Sequence, residues 1–188
     1  MTKKELNKAV KQSILSGKTK QETFDNFKGE SPLSYEETAR IVDSYPTLES
    51  RDEYKSINMI LIILLSITVL SKLLLGVLFM ENNGMRFFPV LFIFPILNII
   101  FLYCVATYNN VYKWIAILTG IGFLRSLSDI IGNPVDVFMI IDIALTIGLI
   151  IVSVYLHIKL FPGYKMVVNR EIDNEGKIKI TRVVKFEE

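Results

Sequence analysis

Four long apolar stretches constrain the fold of this chain more than any other feature. They cover residues 57–80, 87–108, 111–131 and 135–160 and follow a charged segment of 56 residues. About 20 apolar residues span a ~30 Å hydrocarbon core, so each stretch is long enough for one crossing. In a soluble fold, the rest of a 188-residue chain would be too short to cover four such helices. The sequence therefore predicts an all-α membrane protein built on a four-transmembrane-helix bundle.

Lysine and arginine are concentrated at the two ends of the sequence. Ten lie in residues 1–56 and seven in residues 159–188, whereas the short loops carry only Arg86 and Lys113. The positive-inside rule then places both termini in the cytosol, which four crossings allow. Six aromatic residues are expected near the cytosolic interface, where amphipathic rings are favoured: Tyr108, Tyr112, Trp114, Tyr155, Phe161 and Tyr164.

This layout resembles that of small bacterial inner-membrane proteins with four helices and cytosolic ends. The resemblance implies a multi-pass protein of the bacterial inner (plasma) membrane. The first apolar stretch begins only at residue 57, so it is expected to act as an internal anchor and not as a cleaved leader. Because the likeness lies in layout and not in motif, no functional residue is carried over.

Residues 1–56 are predicted to form a small cytosolic helical head of three helices, followed by a charged connector. Ser34 and Glu37 have the spacing of a capping box at the start of the third helix. Ten basic residues against ten acidic ones make the head neutral, so it lacks the cationic surface that nucleic acids require. We expect a protein-binding or structural role, and we expect residues 47–55 to continue directly into the first membrane helix.

Residues 161–188 are predicted to form a cytosolic β-hairpin. Two runs rich in β-branched residues flank the turn sequence at 173–176. A lone two-stranded hairpin is marginal in water. The hairpin is therefore expected to lie against the head helices or another copy, or to pair with a partner strand. Contact between its lysines and anionic lipid headgroups is an alternative.

Five charged residues lie within the apolar stretches or beside their ends: Lys72, Arg125, Asp129, Asp136 and Asp142. At ~1.5 Å per residue, Lys72, Arg125 and Asp142 reach a similar depth in the outer leaflet, where charges are costly. Two interpretations remain open. The charges pair across helices and hold the bundle together, or an aspartate titrates or binds a cation along a polar path.

Two further features concern helix geometry in the apolar stretches. Pro95 and Asn98 form a candidate kink or gate, because proline removes one helix hydrogen bond. The small-residue pairs Ala116/Gly120 and Ala144/Gly148 let helices approach closely, either within one chain or between copies.

Catalytic and cofactor motifs do not stand out. The single histidine, His157, and the single cysteine, Cys104, exclude a His/Cys metal cluster and an intrachain disulfide. We therefore expect no enzyme activity, no metal and no cofactor.

Two functions fit these sequence features. The first is a sensor, adaptor or complex subunit whose cytosolic ends bind a protein partner or another copy. The second is an oligomeric channel, small transporter or membrane-disrupting effector that uses the charged cluster. A cluster that faces inward within one bundle favours the first function, and one that lines an axis shared by several copies favours the second.

Overall fold

The computed structural model describes residues 1–29, 33–83, 88–132, 137–172 and 178–187. The described part of the chain is mostly helical (76%), with a small two-stranded antiparallel hairpin. The elements in chain order are α1 (Lys3–Leu15), α2 (Lys20–Phe27), α3 (Tyr35–Asp43), α4 (Leu48–Glu53), α5 (Lys55–Asn83), α6 (Phe88–Ala106), α7 (Tyr112–Gly132), α8 (Val137–Leu160), β1 (Tyr164–Ile172) and β2 (Ile178–Phe186). The turn predicted at 173–176 lies outside the described residues.

The chain forms two compact units. The first, here called the head unit, joins Met1–Glu53 to Lys159–Glu188. The second, the four-helix unit, comprises Tyr54–Ile158. The two ends of the sequence therefore belong to one folded body.

Each of the three head helices begins with a capping box. The side chain of Thr2, Thr19 or Ser34 accepts a hydrogen bond from the amide three residues on, and the glutamate at that position accepts one from the cap amide. These reciprocal bonds satisfy amides that the first turn of a helix leaves without partners. The bonds from Thr2 lower the pKa of Glu5, because they stabilise its charged form. The box at Ser34 confirms the prediction, whereas the other two were not predicted.

Both ends of the sequence contribute to one hydrophobic core in the head unit. Its buried residues come from α1, α2, α3 and β2: Leu6, Val10, Ile14, Phe24, Ala39, Ile41, Val42 and Val184. The three α1 residues recur every four positions and so form one apolar stripe. Tyr164 and Phe186 of the hairpin are partly buried against the same core. Of the arrangements predicted for the hairpin, the structure has the one in which it packs on the head helices.

Aromatic contacts and one hydrogen bond fix the hairpin on the head. β1 and β2 pair antiparallel, from Tyr164 opposite Phe186 to Ile172 opposite Ile178. The ring centroid of Phe186 lies 5.8 Å from that of Tyr164 and 5.8 Å from that of Phe24 in α2. The amide of Phe186 also donates to Oε1 of Gln21 at 3.3 Å. The hairpin thus gains the packing that an isolated two-stranded sheet lacks.

A buried lysine links three parts of the head unit. Lys20 of α2 is 1% exposed, and its Nζ donates to Oδ1 of Asp43, the last residue of α3, at 2.9 Å. The same nitrogen lies 6.0 Å from the ring centroid of Phe161, the residue that follows α8. Because a buried charge is tolerated only with such partners, Lys20 joins α2 to the end of α3 and to the start of the tail.

The charged connector forms the short helix α4. Tyr54 separates its last residue, Glu53, from Lys55, the first residue of α5. The connector is therefore helical, with a one-residue interruption before α5. α4 has no fully buried residue.

Helices occupy all four apolar stretches, as predicted. Among the described residues, two segments are long and apolar enough to cross a membrane: Lys55–Leu74, with a mean hydropathy of 2.3, and Met139–Leu160, with 2.4. Pro95–Ala106 and Tyr112–Leu124 are shorter apolar helices. Only 28% of the first long segment and 17% of the second are buried within the protein. Most residues of these two segments are therefore not fully buried within the protein.

Candidate functional site

A cavity of about 280 Å³ lies among the helices of the four-helix unit. All four helices, α5 to α8, contribute to its wall. Its polar side chains are Thr68, Lys72, Asn98, Thr119, Asp142 and Thr146, and apolar side chains form most of the rest. Protein interiors are close-packed and leave few voids larger than a water molecule. A cavity of this size with charged side chains in its wall is the candidate functional site.

The cavity brings together three of the residues that the sequence singled out. Lys72 comes from α5, Asn98 from α6 and Asp142 from α8, and all three line the same space. One cation, one anion and one carboxamide therefore border one space within a single chain, and Asp142 is also exposed on the unit. The predicted roles of these residues, as a structural ion pair or as an ion path, stay predictions.

The other sequence candidates lie elsewhere or fall outside the description. Pro95 lies inside α6, three residues before Asn98. Arg125 and Asp129 belong to α7, but their side chains are outside the described part of the structure, as is the whole of Asp136. Of the five charged residues that the sequence singled out, the structure therefore describes the side chains of Lys72 and Asp142.

Threonines complete the polar wall, and the sequence analysis missed them. Thr68 precedes Lys72 by four residues and Thr146 follows Asp142 by four, so each pair shares one face of its helix. The Thr68 hydroxyl donates to the carbonyl of Leu64 at 2.9 Å. Its hydrogen is thereby used, and its oxygen remains an acceptor. The i,i+4 spacing to a charged residue was the signal that could have found these threonines.

Two glycines of α7 differ in their relation to the cavity. Gly122 lines it, and a Cβ built at Gly122 would meet no heavy atom within 4 Å. Gly120 has the same open space but is not part of the cavity wall. The two positions therefore accept a larger side chain equally well on steric grounds, with a different effect on the cavity.

The small-residue pairs are used differently within the chain. A Cβ built at Gly148 of α8 would lie 3.7 Å from Cδ1 of Leu64 in α5, which is an ordinary packing distance. Gly148 therefore lies where α8 approaches α5, whereas Ala144 of the same pair is exposed. Gly120 has no such neighbour, so the Ala116/Gly120 pair does not support helix packing within the described chain.

An apolar layer continues the interior of the four-helix unit toward the first turns of α5 and α7. Leu61 and Leu65 of α5, Val105 of α6 and Ile115 of α7 are each at most 1% exposed. Leu61, Leu65 and Thr68 follow one another at the spacing of a single helix face. The polar lining of the cavity therefore gives way to a packed apolar layer along that face.

Beyond this layer, a buried polar contact ties three helices together. Tyr112 donates its hydroxyl to Oδ1 of Asn58 at 2.9 Å, and Nδ2 of Asn58 donates to the carbonyl of Val105 at 3.2 Å. Tyr112, one of the six aromatic residues predicted near the cytosolic interface, is fully buried within the protein, and its level in a membrane stays a prediction. A buried asparagine needs hydrogen-bond partners, and the tyrosine hydroxyl supplies one from the start of α7.

Elements of catalytic or metal chemistry are sparse in the described part of the chain. No group of three or more His, Cys, Asp or Glu side chains there is arranged to hold a metal ion. Cys104 is a free, partly buried cysteine of α6. Comparison with protein-family models, with curated proteins and with solved structures finds no match for this chain. The polar side chains of the cavity offer two opposite charges, hydroxyls and one carboxamide.

Proposed function

We propose that this chain is a non-enzymatic membrane protein that acts as a sensor, an adaptor or a complex subunit. In this proposal α5 to α8 are four spans of the bacterial inner membrane, both ends of the sequence lie in the cytosol, and the head unit binds a protein partner or another copy. The observation that carries the proposal is the shared core of the head unit, in which Val184 of the tail packs with residues of α1 to α3.

The shared core supports the proposed topology. A folded core made of residues 1–53 and 159–188 must lie on one side of a bilayer, because a hydrophobic core cannot be assembled across one. Both ends on the same side require an even number of crossings. Four helices between them meet that condition, and the many basic residues at both ends favour the cytosolic side.

The exposure of the long helices supports a lipid environment. Large apolar side chains on all four helices are more than half exposed, among them Leu70, Ile96, Leu124 and Ile151. Soluble proteins rarely leave contiguous apolar patches of that extent in water. Lipid tails cover such a surface without cost, and the hydrogen bonds of helical backbones are already satisfied.

The direction in which the charges face favours a module over a pore. Lys72 and Asp142 border one cavity within a single chain, and this shared space favours a module, while the exposed Asp142 also reaches the outside of the unit. A second candidate is a small transporter, which the polar cavity favours. The apolar layer of Leu61, Leu65 and Ile115 interrupts a continuous polar route, so we place the transporter second.

Cysteine labelling in intact cells tests the topology. In a Cys104→Ala background, single cysteines replace Ser16 of the head, Lys185 of the tail and Asn83 at the end of α5. We expect a membrane-impermeant maleimide to label Asn83→Cys from outside, and to label the other two only after the membrane is opened. External labelling of Ser16→Cys or Lys185→Cys would show that the proposed topology is wrong.

Truncation of the tail tests the docking role of the head unit. Deleting residues 165–188 removes Val184 and Phe186 from the core, so we expect membrane insertion to persist and partner capture or self-assembly to be lost. A second variant, Met166→Ser with Val168→Ser, keeps those core residues and removes exposed apolar surface of β1. Loss of partner capture or self-assembly in both variants would assign docking to the hairpin. Loss in the deletion alone would assign docking to the folded head. An unchanged complex mass and unchanged partners in both would contradict the proposal.

A further inference from the structure

We infer that the outer edge of β1 pairs with the same edge of a second copy, so that two hairpins form one four-stranded antiparallel sheet. The outer edge is the side of β1 (Tyr164–Ile172) that faces away from β2. The inference deepens the proposed function and rests on it, because it names another copy of this chain as the partner of the head unit. It is carried by the direction of the backbone groups of β1 and by the self-complementary order of its residues.

A hydrogen bond at the open end of the hairpin fixes which backbone groups point outward. The amide of Glu187 donates to the carbonyl of Gly163 at 3.3 Å, so these two opposite residues form a hydrogen-bonded pair. Along an antiparallel ladder, such pairs alternate with pairs whose N–H and C=O groups point away from the partner strand. Tyr164, Met166 and Val168 of β1 therefore direct their backbone groups toward the outer edge.

The two edges of the hairpin differ in what covers them. On the β2 side, the outward amide of Phe186 donates to Oε1 of Gln21 at 3.3 Å, and β2 lies against α2 and α3. On the β1 side, Met166 is 41% and Val168 52% exposed. Within the described part of the chain, the outward backbone groups of these two residues have no hydrogen-bond partner. An open edge of this kind is a template for pairing with another strand.

The order of residues in β1 makes the strand complementary to a second copy of itself. When two such strands run antiparallel with Val168 opposite Val168, all nine residues of each strand are paired. The outward-pointing residues then lie opposite one another, as a ladder requires. In this register, Lys165 of each copy lies opposite the Glu171 position of the other. Two opposite-charge pairs and a central pair of valines result, and cross-strand pairs of both kinds stabilise a sheet.

The charges around Lys165 favour this one register. Within the hairpin, Lys165 lies opposite Lys185, and like charges at opposite positions are destabilising. Lys165 also contacts Glu187, but its side chain is 76% exposed and an ammonium has three donors, so donors remain for a second carboxylate. Shifting the register by two residues puts Lys165 opposite Asn169 or beyond the end of β1. The charge complementarity therefore belongs to the register that pairs the whole strand.

Charge reversals in the full-length chain test the pairing, with dimerisation in detergent micelles measured by sedimentation equilibrium. Lys165→Glu and Glu171→Lys each turn both opposite-charge pairs into like-charge pairs, so we expect either variant alone to dimerise at least tenfold more weakly than the unchanged chain. An equimolar mixture of the two variants restores both pairs, and we expect it to form heterodimers with nearly the original affinity. Recovery on mixing reports contact between chains, because the two changes never share one hairpin.

A matched control and a backbone variant complete the test. Lys185→Glu makes the same reversal on β2, away from the outer edge, and we expect it to weaken dimerisation less than threefold. Val168→Pro removes an outward N–H group and leaves the ladder to β2 intact, so we expect loss of the dimer with unchanged amide exchange of α1. Val168→Thr keeps that N–H group and the branched shape, and should keep the dimer. If Val168→Pro unfolds the head, the charge reversals decide alone.

The outcomes separate this inference from the proposed function. A monomeric unchanged chain, single reversals that dimerise as tightly as the unchanged chain, or a mixture without recovery would each show that the β1 pairing is wrong. The proposed function stands in those cases if the head unit still captures a different protein. If the mixture recovers the dimer while cysteine labelling places Ser16→Cys or Lys185→Cys outside the cell, the pairing stands and the proposed topology is wrong.

Discussion

Replacing Val184 with alanine is expected to loosen α1, although Val184 belongs to the last strand of the protein. Val184 is 4% exposed and is part of the core that contains Leu6, Val10 and Ile14 of α1. The change removes two buried methyl groups, worth ~0.8 kcal/mol each, and leaves a small cavity, so the total cost is about 2 kcal/mol. That free energy corresponds to a roughly 30-fold change in the opening equilibrium of the head.

Hydrogen exchange of the full-length protein in micelles measures this effect. Where the amides of α1 exchange through opening of the head unit, their rates should rise about 30-fold in Val184→Ala. Val183→Ala is the matched control, because Val183 is the neighbouring residue on the opposite face of β2 and is only partly buried. Val183→Ala should destabilise the head unit by less than half the free energy that Val184→Ala does. If Val184→Ala loosens the hairpin and leaves the protection of α1 unchanged, the core is not energetically shared.

Three further predictions concern single contacts. Tyr112→Phe should destabilise the four-helix unit by about 1 kcal/mol, the net contribution of one hydrogen bond. A double-mutant cycle with Asn58→Leu should give a matching coupling energy, and a coupling near zero would contradict the contact. Lys20→Met should lower the opening free energy of α2, measured by amide hydrogen exchange, by about 2 kcal/mol, because Asp43 loses its charged partner. An unchanged exchange rate would refute this. The lowered pKa of Glu5 gives α1 a stability that is complete above pH 4.5 and lost as pH falls through the folded-state pKa, so Glu5→Gln should flatten the acid dependence of α1 exchange; an unaltered acid profile would rule out this role.

Long apolar runs made the helices of the four-helix unit predictable. The predicted stretches and the observed helices α5 to α8 differ by a few residues at each end, because a run of more than 20 apolar residues leaves few alternatives to a helix. The hairpin was predictable from its β-branched runs. Packing on the head helices was one of the predicted arrangements, but the sequence could not select it, since alternation along a strand identifies an apolar face without indicating what covers it.

The site was predictable in part. Counting residues along helices placed Lys72 and Asp142 at a similar depth, and both line the cavity. The threonines escaped attention because their hydropathy is nearly neutral and their hydroxyls can bond to their own helix, as Thr68 does with Leu64. The burial of Tyr112 was not predicted, because an aromatic ring with a hydroxyl suits a membrane interface and a buried hydrogen bond equally well. Asn58 supplies the acceptor for the buried hydrogen bond, but whether its side chain can reach Tyr112 depends on how the helices are rotated.

The shared core of the head unit has a consequence for synthesis of the protein. The first 53 residues leave the ribosome early, but their core lacks Val184, Tyr164 and Phe186 until the tail has been made. At ~5–20 residues per second, that interval is on the order of ten seconds. During it, Leu6, Val10 and Ile14 have only an incomplete core in which to be buried. The head therefore matures after translation of the helices between its two parts, and a chain that stalls before β2 displays an unfinished, apolar N-terminal segment to chaperones and proteases.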